Sequence, residues 1–113
     1  DEAIFSIENV APVLTAVTTE PVNEGSFVTL ELATFTDPGS EDIHEALVDW
    51  GDGSSGTAAI SIREDGVRVV TGSHVFADDG VYAVTVTVTD DDGGTAAVTS
   101  MLTVNNVAPL LLD

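Results

Sequence analysis

Residues 80–90 read Gly-Val-Tyr-Ala-Val-Thr-Val-Thr-Val-Thr-Asp, a run of strict alternation. Large apolar side chains occupy every second position, at Tyr82, Val84, Val86 and Val88. A period of two residues is typical of a β-strand that buries one face. Valine and threonine are stiff at the first side-chain torsion, and they suit the surface of a pleated sheet. The stretch therefore predicts a long strand whose valines enter a core.

Three shorter runs show a similar alternation: Val28, Leu30 and Leu32; Ala58, Ile60 and Ile62; and Val98, Leu102 and Val104. Clusters of Asp, Asn and Gly separate the runs and predict tight turns, because these residues bond their own backbone or permit positive φ. The Glu-Asp-Gly segment at 64–66 lies between two apolar runs and predicts a hairpin. About seven short strands with frequent turns predict an all-β, immunoglobulin-like β-sandwich of two antiparallel sheets.

The charge of the chain limits what it can bind. The chain has 113 residues, 43% of them hydrophobic and none of them cysteine, which suffices for one domain with its own core and without disulfides. Lys and Arg together number 2, whereas Asp and Glu together number 20, which gives a formal net charge of −18. Nucleic acid and anionic lipid surfaces repel such a chain, so we expect no nucleic-acid partner. No apolar stretch reaches transmembrane length, so we expect no membrane insertion. Self-repulsion on this scale indicates bound divalent cations, a saline habitat, or both.

One motif occurs twice, about one domain length apart. Residues 9–12, Asn-Val-Ala-Pro, return as residues 106–109. Self-similarity of this kind is typical of a repeat array. We therefore expect residues 1–8 to be the tail of a preceding repeat or linker, residues 9–106 to form the module, and residues 107–113 to begin the next repeat or linker. An odd number of strands would place the two linkers at opposite poles of the module.

Three segments have the order and spacing of a known family. Residues 48–53 read Val-Asp-Trp-Gly-Asp-Gly, residues 73–76 read Ser-His-Val-Phe, and the strand at 80–90 follows. The chain resembles the PKD (polycystic kidney disease) domain family, and it differs from the usual pattern by Phe76 in place of tyrosine and by the short form of the Trp-Gly-Asp-Gly turn. The resemblance implies a two-sheet sandwich in an extracellular or cell-surface protein, often in tandem copies or beside a secreted hydrolase. It also implies calcium near the start of the domain.

Oxygen-bearing side chains are predicted to meet at one pole. Because consecutive strands run antiparallel, the loop after the strand at 26–34, the turn after the strand at 81–89 and the start of the first strand should lie together. This topology gathers Asn9, Asp37 and the aspartates at 90–92. Calcium prefers about six to eight oxygen ligands of this kind.

The resemblance implies which residues would bind Ca²⁺: Asn9 from the linker, Asp37 from the loop after the second strand, and Asp90 at the end of the long strand. Further candidates are Asp92, Glu41 and Asp42. The alternative is that these residues only form turns and keep the surface soluble, as a saline habitat would also favour.

The remaining candidates have mainly structural interpretations. Trp50, the one tryptophan, is expected in the core, with a sugar-stacking platform as the alternative. Asp52 is expected to form a turn with Gly53 rather than to bind a ligand. We expect His74 to be a structural histidine hydrogen-bonded under a loop, and His44 to be exposed in an acidic loop. No hydrolase motif such as Gly-x-Ser-x-Gly is present, so we expect no enzyme activity.

The sequence thus favours a non-catalytic extracellular module of a tandem array. We expect it to act as a calcium-stiffened spacer and as an adhesion or interaction domain. Its expected partners are the neighbouring modules of the same chain and a protein or polysaccharide ligand. The alternative is a substrate-binding accessory module of a secreted protease or polysaccharide hydrolase.

Overall fold

The chain folds into β-strands wherever its structure is described. The computed structural model describes residues 12–36, 44–90 and 93–108. In these ranges it contains eight strands and no helix, and the immunoglobulin-like β-sandwich expected from the sequence is confirmed. The strands are β1 (Val13–Ala16), β2 (Val22–Asn23), β3 (Phe27–Thr36), β4 (His44–Asp49), β5 (Ser55–Ile62), β6 (Arg68–Val75), β7 (Gly80–Asp90) and β8 (Thr95–Asn105).

The strands form two sheets that are joined through β5. One sheet contains β1, β3, β6 and the second half of β5, in which residues 59–62 pair with residues 68–71. The other contains the first half of β5, β4, β7, β8 and β2, and here residues 55–58 pair with residues 46–49. Because β5 crosses from one sheet to the other, the hydrogen-bonded order β1-β3-β6-β5-β4-β7-β8-β2 is continuous.

β1 and β2 are two halves of one edge strand. β1 is antiparallel to β3, whereas β2 is parallel to β8, the one parallel pair among the described strands. The pairings between successive neighbours show that β1 and β2 run in the same direction, although they belong to different sheets. A short edge strand thus covers each sheet, which limits the backbone groups left open at the edges. The eight strands make seven crossings of the domain, because β1 and β2 together make one.

The described chain begins and ends at opposite poles of the sandwich. At the pole that we call N-terminal, Val13 at the start of β1 pairs with Thr36, and His44 pairs with Asp90. At the C-terminal pole, the last residue of β8, Asn105, pairs with β2. The odd number of crossings has the consequence expected from the sequence: the described chain enters at one end and leaves at the other.

Side chains from both sheets fill one core. Val84, Val86 and Val88 are 2%, 1% and 0% exposed, as the alternation within β7 predicts. Burying one such valine stabilises the fold by about 1.5–3 kcal/mol. The other members of the buried cluster are Leu32, Ala33, Phe35, Ala46, Val48, Trp50, Val70, Phe76, Leu102 and Val104.

The β5–β6 hairpin has the turn that the Glu-Asp-Gly segment predicts. Gly66 has a φ of +86°, and Asp65 Oδ1 accepts the Val67 N–H at 3.0 Å. The same hairpin carries both arginines of the chain, Arg63 and Arg68. The two cationic side chains therefore belong to the N-terminal pole.

Two local features differ from the expectation. His44 does not lie in an exposed loop: it begins β4, is half-buried, and its ring centroid lies 5.1 Å from that of Phe35. The alternation in β3 also breaks, because a register shift between Glu31 and Ala33 leaves both Leu32 and Ala33 buried. A bulge of this kind changes which face a strand buries.

Candidate functional site

The Trp-Gly-Asp-Gly segment forms the turn between β4 and β5. The Trp50 N–H donates to the Ser54 carbonyl at 3.1 Å, and the Gly51 N–H donates to Asp49 Oδ1 at 3.0 Å. Gly51 has a φ of +82°, and a β-carbon there would lie 2.5 Å from the Ala83 carbonyl oxygen. Only glycine fits both this conformation and this space. The turn is therefore held closely against β7.

The turn places Trp50 in a stack of rings. Its indole stacks on the imidazole of His74, with centroids 4.6 Å apart and planes 4° apart. Phe76 meets both rings edge-on, at 5.9 Å and 4.7 Å, and the ring of Tyr82 lies 4.8 Å from that of Phe76. Gly72 makes room for the indole, because a β-carbon there would lie 3.0 Å from two indole carbons. Such ring pairs contribute about 0.5–1.5 kcal/mol each beyond their burial.

The burial of these rings decides between the two interpretations of Trp50. Trp50 is 4% exposed and Phe76 is 0% exposed, so the core interpretation is confirmed. A ring this deeply buried cannot stack on a sugar, and the platform alternative is wrong. Of the aromatic side chains in the described ranges, only Phe27 is largely exposed, at 72%.

A polar pair closes the outer side of the stack. His74 Nε2 lies 2.7 Å from Asp52 Oδ2, and Asp52 Oδ1 accepts both the Ser54 N–H at 3.1 Å and the Ser54 hydroxyl at 2.5 Å. Burial alone raises the pKa of Asp52, but the hydrogen bonds from His74 and Ser54 outweigh it and lower the pKa to about 2. The predicted roles are confirmed: His74 is hydrogen-bonded under a turn, and Asp52 shapes that turn.

These three side chains do not form a catalytic relay. A relay needs the histidine to face the carboxylate with one ring nitrogen and the serine with the other. Here Asp52 Oδ2 at 2.7 Å and Ser54 Oγ at 3.3 Å both face Nε2 of His74. An ionised carboxylate only accepts hydrogen bonds, so Nε2 carries the hydrogen and cannot remove a proton from Ser54. The cluster anchors a turn and leaves the serine unactivated.

The Asp52–His74 pair predicts a specific pH dependence of stability. The folded pKa of about 2 lies below the ordinary value of 3.8, so the carboxylate stabilises the fold fully above about pH 4 and loses that contribution as the pH falls toward 2. We expect Asp52→Asn to lower the free energy of unfolding at pH 7 by on the order of 1 kcal/mol, since partial exposure screens the pair. The deficit should shrink toward pH 2 when urea unfolding is measured across this range.

Asp79→Asn is the matched control, because Asp79 is exposed and the substitution changes the charge equally. Removing one negative charge from a chain of net charge −18 relieves repulsion in both variants. The difference between the two variants therefore isolates the pair. Parallel pH profiles for the two variants would contradict the assignment.

Tyr82 ties the next loop to the same cluster. Its hydroxyl donates to the Asp78 carbonyl at 2.8 Å. Partial burial raises the pKa of this hydroxyl, and the carboxylates of Asp78, Asp52, Asp79 and Glu24 raise it further. The C-terminal pole is thus strongly negative. Within the described ranges, however, no group of three or more His, Cys, Asp or Glu side chains could hold a metal ion.

The predicted calcium ligands are only partly described. Asp90 ends β7, as predicted, and it is 3% exposed. Its Oδ1 accepts the Gly94 N–H at 2.7 Å. The predicted ligands outside the described residues are Asn9, Asp37 and Asp92, together with Glu41 and Asp42.

The strand ends that flank these residues do meet. Val13 lies beside Thr36, and His44 lies beside Asp90, all at the N-terminal pole. A buried carboxylate needs hydrogen-bond donors or a cation, and Ca²⁺ prefers carboxylate oxygens. Asp90 already accepts the Gly94 N–H, and calcium binding by Asp90 stays a prediction, as it does for the other proposed ligands.

Sequence reasoning missed two contacts. The partner of His74 is Asp52, 22 residues earlier, and only the pairing of the two motif segments in space reveals it. The second is Glu24, whose Oε1 accepts the Val107 N–H at 2.9 Å. A lone glutamate in a turn carries no pattern that would have indicated this contact.

A buried tryptophan that leads into an exposed Gly-Asp-Gly turn, within an immunoglobulin-like sandwich, defines a class of β-sandwich modules. The family model for the PKD domain matches residues 9–105. The chain belongs to the PKD domain family, as the resemblance of its motifs implied.

Solved structures agree with this assignment. The chain is similar to the PKD1 domain of Vibrio anguillarum Epp, with 25% identity and a TM-score of 0.60, over 88% of this chain and 100% of that one. It is also similar to the PKD domain of an M14-like peptidase from Thermoplasmatales archaeon SCGC AB-540-F20, with 26% identity and a TM-score of 0.54, over 83% of this chain and 92% of that one. No curated protein matches the chain significantly.

A third solved structure supports the fold alone. It comes from work on carbohydrate-binding modules of the β-sandwich superfamily, with 24% identity and a TM-score of 0.58, over 88% of this chain and 36% of that one.

Domains of the PKD family are generally extracellular or surface modules without catalytic activity. In the described ranges, no helix is long and apolar enough to cross a membrane.

Proposed function

We propose that this domain is a non-catalytic spacer and adhesion module of a tandem array, stiffened by calcium at its N-terminal pole. The observation that carries the proposal is the position of the two ends of the described domain. The repeated motif at 9–12 and 106–109 flanks a domain whose described chain enters at one pole and leaves at the other. Copies joined in this way contact only their neighbours and extend as a rod.

Two observations support calcium binding: the net charge of the chain and the position of Asp90. A net charge of −18 opposes a compact fold unless cations neutralise part of it. Asp90 offers a buried carboxylate at the N-terminal pole. With Asn9, Asp37 and Asp92 as the other proposed ligands, a bound Ca²⁺ would tie the incoming linker to the body of the domain. The junction between modules would become stiffer as a result.

Calcium should raise the melting temperature of the chain. An extracellular site of this kind has a Kd on the order of 10⁻⁴–10⁻³ M. Calcium at a hundredfold excess over Kd would stabilise the fold by about 2.7 kcal/mol. Scanning calorimetry in calcium, in magnesium and in chelator measures the shift.

Asp90→Asn is the informative variant for this measurement, because asparagine still offers an acceptor to the Gly94 N–H but lacks the charge. It should lose most of the calcium-dependent shift. Asp65→Asn, on the exposed hairpin of the same pole, is the control and should keep it. Melting curves that are identical with and without calcium would remove calcium from the proposal.

A tandem of two copies tests the rod. Placing residue 9 of the second copy after residue 105 of the first reproduces the Asn-Asn-Val-Ala-Pro sequence at residues 105–109. Small-angle scattering should give a larger maximum dimension in calcium than in chelator. Equal dimensions would reject stiffening by calcium, and a compact particle in both conditions would reject the spacer role.

A substrate-binding accessory role is the second candidate, and the likeness to a PKD domain of an M14-like peptidase favours it. Phe27 and Val75 are register partners on β3 and β6, and they are 72% and 44% exposed. An exposed apolar pair of this kind is a candidate surface for a protein substrate. Retention on insoluble collagen, but not on chitin or cellulose, that is lost in Phe27→Ala would support this role over the spacer.

A further inference from the structure

The outgoing linker is bonded to the body of the domain by one residue. At the last residue of β8, the backbone N–H of Glu24 donates to the Asn105 carbonyl at 3.0 Å. The side chain of Glu24 then reaches the next stretch of the linker, where Oε1 accepts the Val107 N–H at 2.9 Å. Glu24 thus contacts the end of β8 through its backbone and the linker, two residues later, through its carboxylate.

The turn that carries Glu24 is itself held by the core. The Ser26 N–H donates to the Asn23 carbonyl at 3.3 Å, and Gly25 adopts a φ of +77° that favours glycine. The Gly25 N–H donates to the carbonyl of Phe76 at 2.8 Å, and the side chain of Phe76 is 0% exposed. The carboxylate therefore projects from a backbone that is anchored on the Trp50–His74–Phe76 stack.

The contacted segment is the repeated motif. Val107 is the second residue of the Asn-Val-Ala-Pro at 106–109 and corresponds to Val10 in the copy at 9–12. We propose that Glu24 is a latch: its carboxylate binds the backbone of the segment that begins the next module and fixes the direction in which that module leaves. The proposal rests on the tandem arrangement of the proposed function, but it needs no calcium.

The chemistry suits this role. Hydrogen bonds from a backbone N–H to a carboxylate are shorter and stronger than those to a neutral acceptor. Val107 is 47% exposed, so little burial holds the segment in place. The carboxylate then restrains residues 106–108, and its removal should free them without unfolding the sheets.

The test uses the full chain, labelled with ¹⁵N, in the presence of a calcium chelator. Solvent exchange of the Val107 amide and heteronuclear NOEs of residues 106–108 are measured by NMR. We expect Glu24→Ala to speed exchange of the Val107 amide about tenfold and to lower these NOEs, whereas Glu24→Gln, which keeps an acceptor, should have a smaller effect. The amides of β7 report whether each variant is folded.

Glu20→Ala is the matched control, because Glu20 is exposed and the charge change is the same. It should leave Val107 unchanged. The latch is rejected if the Val107 amide of the unaltered chain exchanges at the random-coil rate, or if Glu24→Ala leaves its rate unchanged in a folded domain. Both results are independent of calcium and of a second module, so a failure of the latch is distinguishable from a failure of the proposed function.

Discussion

Replacing Gly51 by alanine should destabilise the domain by about 3 kcal/mol or more, one of the two largest effects that we expect from a single substitution. Two costs add at this position. A φ of +82° is unfavourable for any residue with a β-carbon, and that β-carbon would lie 2.5 Å from the Ala83 carbonyl oxygen. The contacted atom is backbone within β7, so it cannot move aside as a flexible side chain could. Urea unfolding of the variant measures the loss.

Gly53→Ala separates the two costs. Gly53 has a φ of +94°, similar to that of Gly51, but no atom lies within 4 Å of the position of a β-carbon there. Its substitution should cost only the conformational part, about 1–2 kcal/mol. If the two alanine variants are equally stable, then the close approach of the turn to β7 does not constrain the fold.

Truncating Phe76 to alanine should have a similarly large effect, a loss of about 3–5 kcal/mol in the free energy of unfolding. Phe76 is 0% exposed, and its ring meets those of Trp50, His74 and Tyr82. Removing it leaves a cavity in the middle of the ring stack and removes three ring contacts at once. A loss of this size is a large part of the stability of an ordinary domain.

Phe27→Ala is the control with the same change of side chain. Phe27 is 72% exposed on β3, so its truncation should change the stability by no more than about 0.5 kcal/mol. Tryptophan fluorescence provides a second readout for Phe76→Ala, since Trp50 lies 5.9 Å from the deleted ring. An unshifted emission spectrum together with an unchanged unfolding midpoint would contradict the proposed ring stack.

The long strand could be predicted from sequence because its burial follows one rule throughout. Alternation in β7 matches a single buried face, and Val84, Val86 and Val88 are all core residues. The same rule fails where a strand changes its surroundings. Ile62 alternates in phase with Ile60, but it is 64% exposed at the end of the half of β5 that has crossed to the other sheet.

Short and irregular elements were not predicted, because they do not show the alternation on which the prediction of strands depends. β2 has only two residues, too few to show any period. The bulge beside Leu32 places two consecutive residues in the core, which no alternation can indicate. The aspartates and glutamates around His44 resemble a loop in sequence, and the burial of this ring against Phe35 depends on a contact between strands.

The sequence predicted those features of the site that depend on contacts within one short segment. A Trp-Gly-Asp-Gly segment specifies a turn by itself, because glycine permits positive φ and aspartate bonds nearby N–H groups. The contact of Asp52 with His74 instead depends on the register of β5, β4 and β6, which no single segment specifies. Calcium binding by Asn9, Asp37, Asp90 and Asp92 stays a prediction.

The division of the first strand into β1 and β2 has a mechanical consequence. β2 and β8 run in the same direction side by side, but the chain reaches β2 from the N-terminal pole and leaves β8 at the C-terminal pole. Tension on the two ends of the domain would pull these neighbours past each other along their axes. Their hydrogen bonds, which run across the strands, would then resist as a group rather than open one after another.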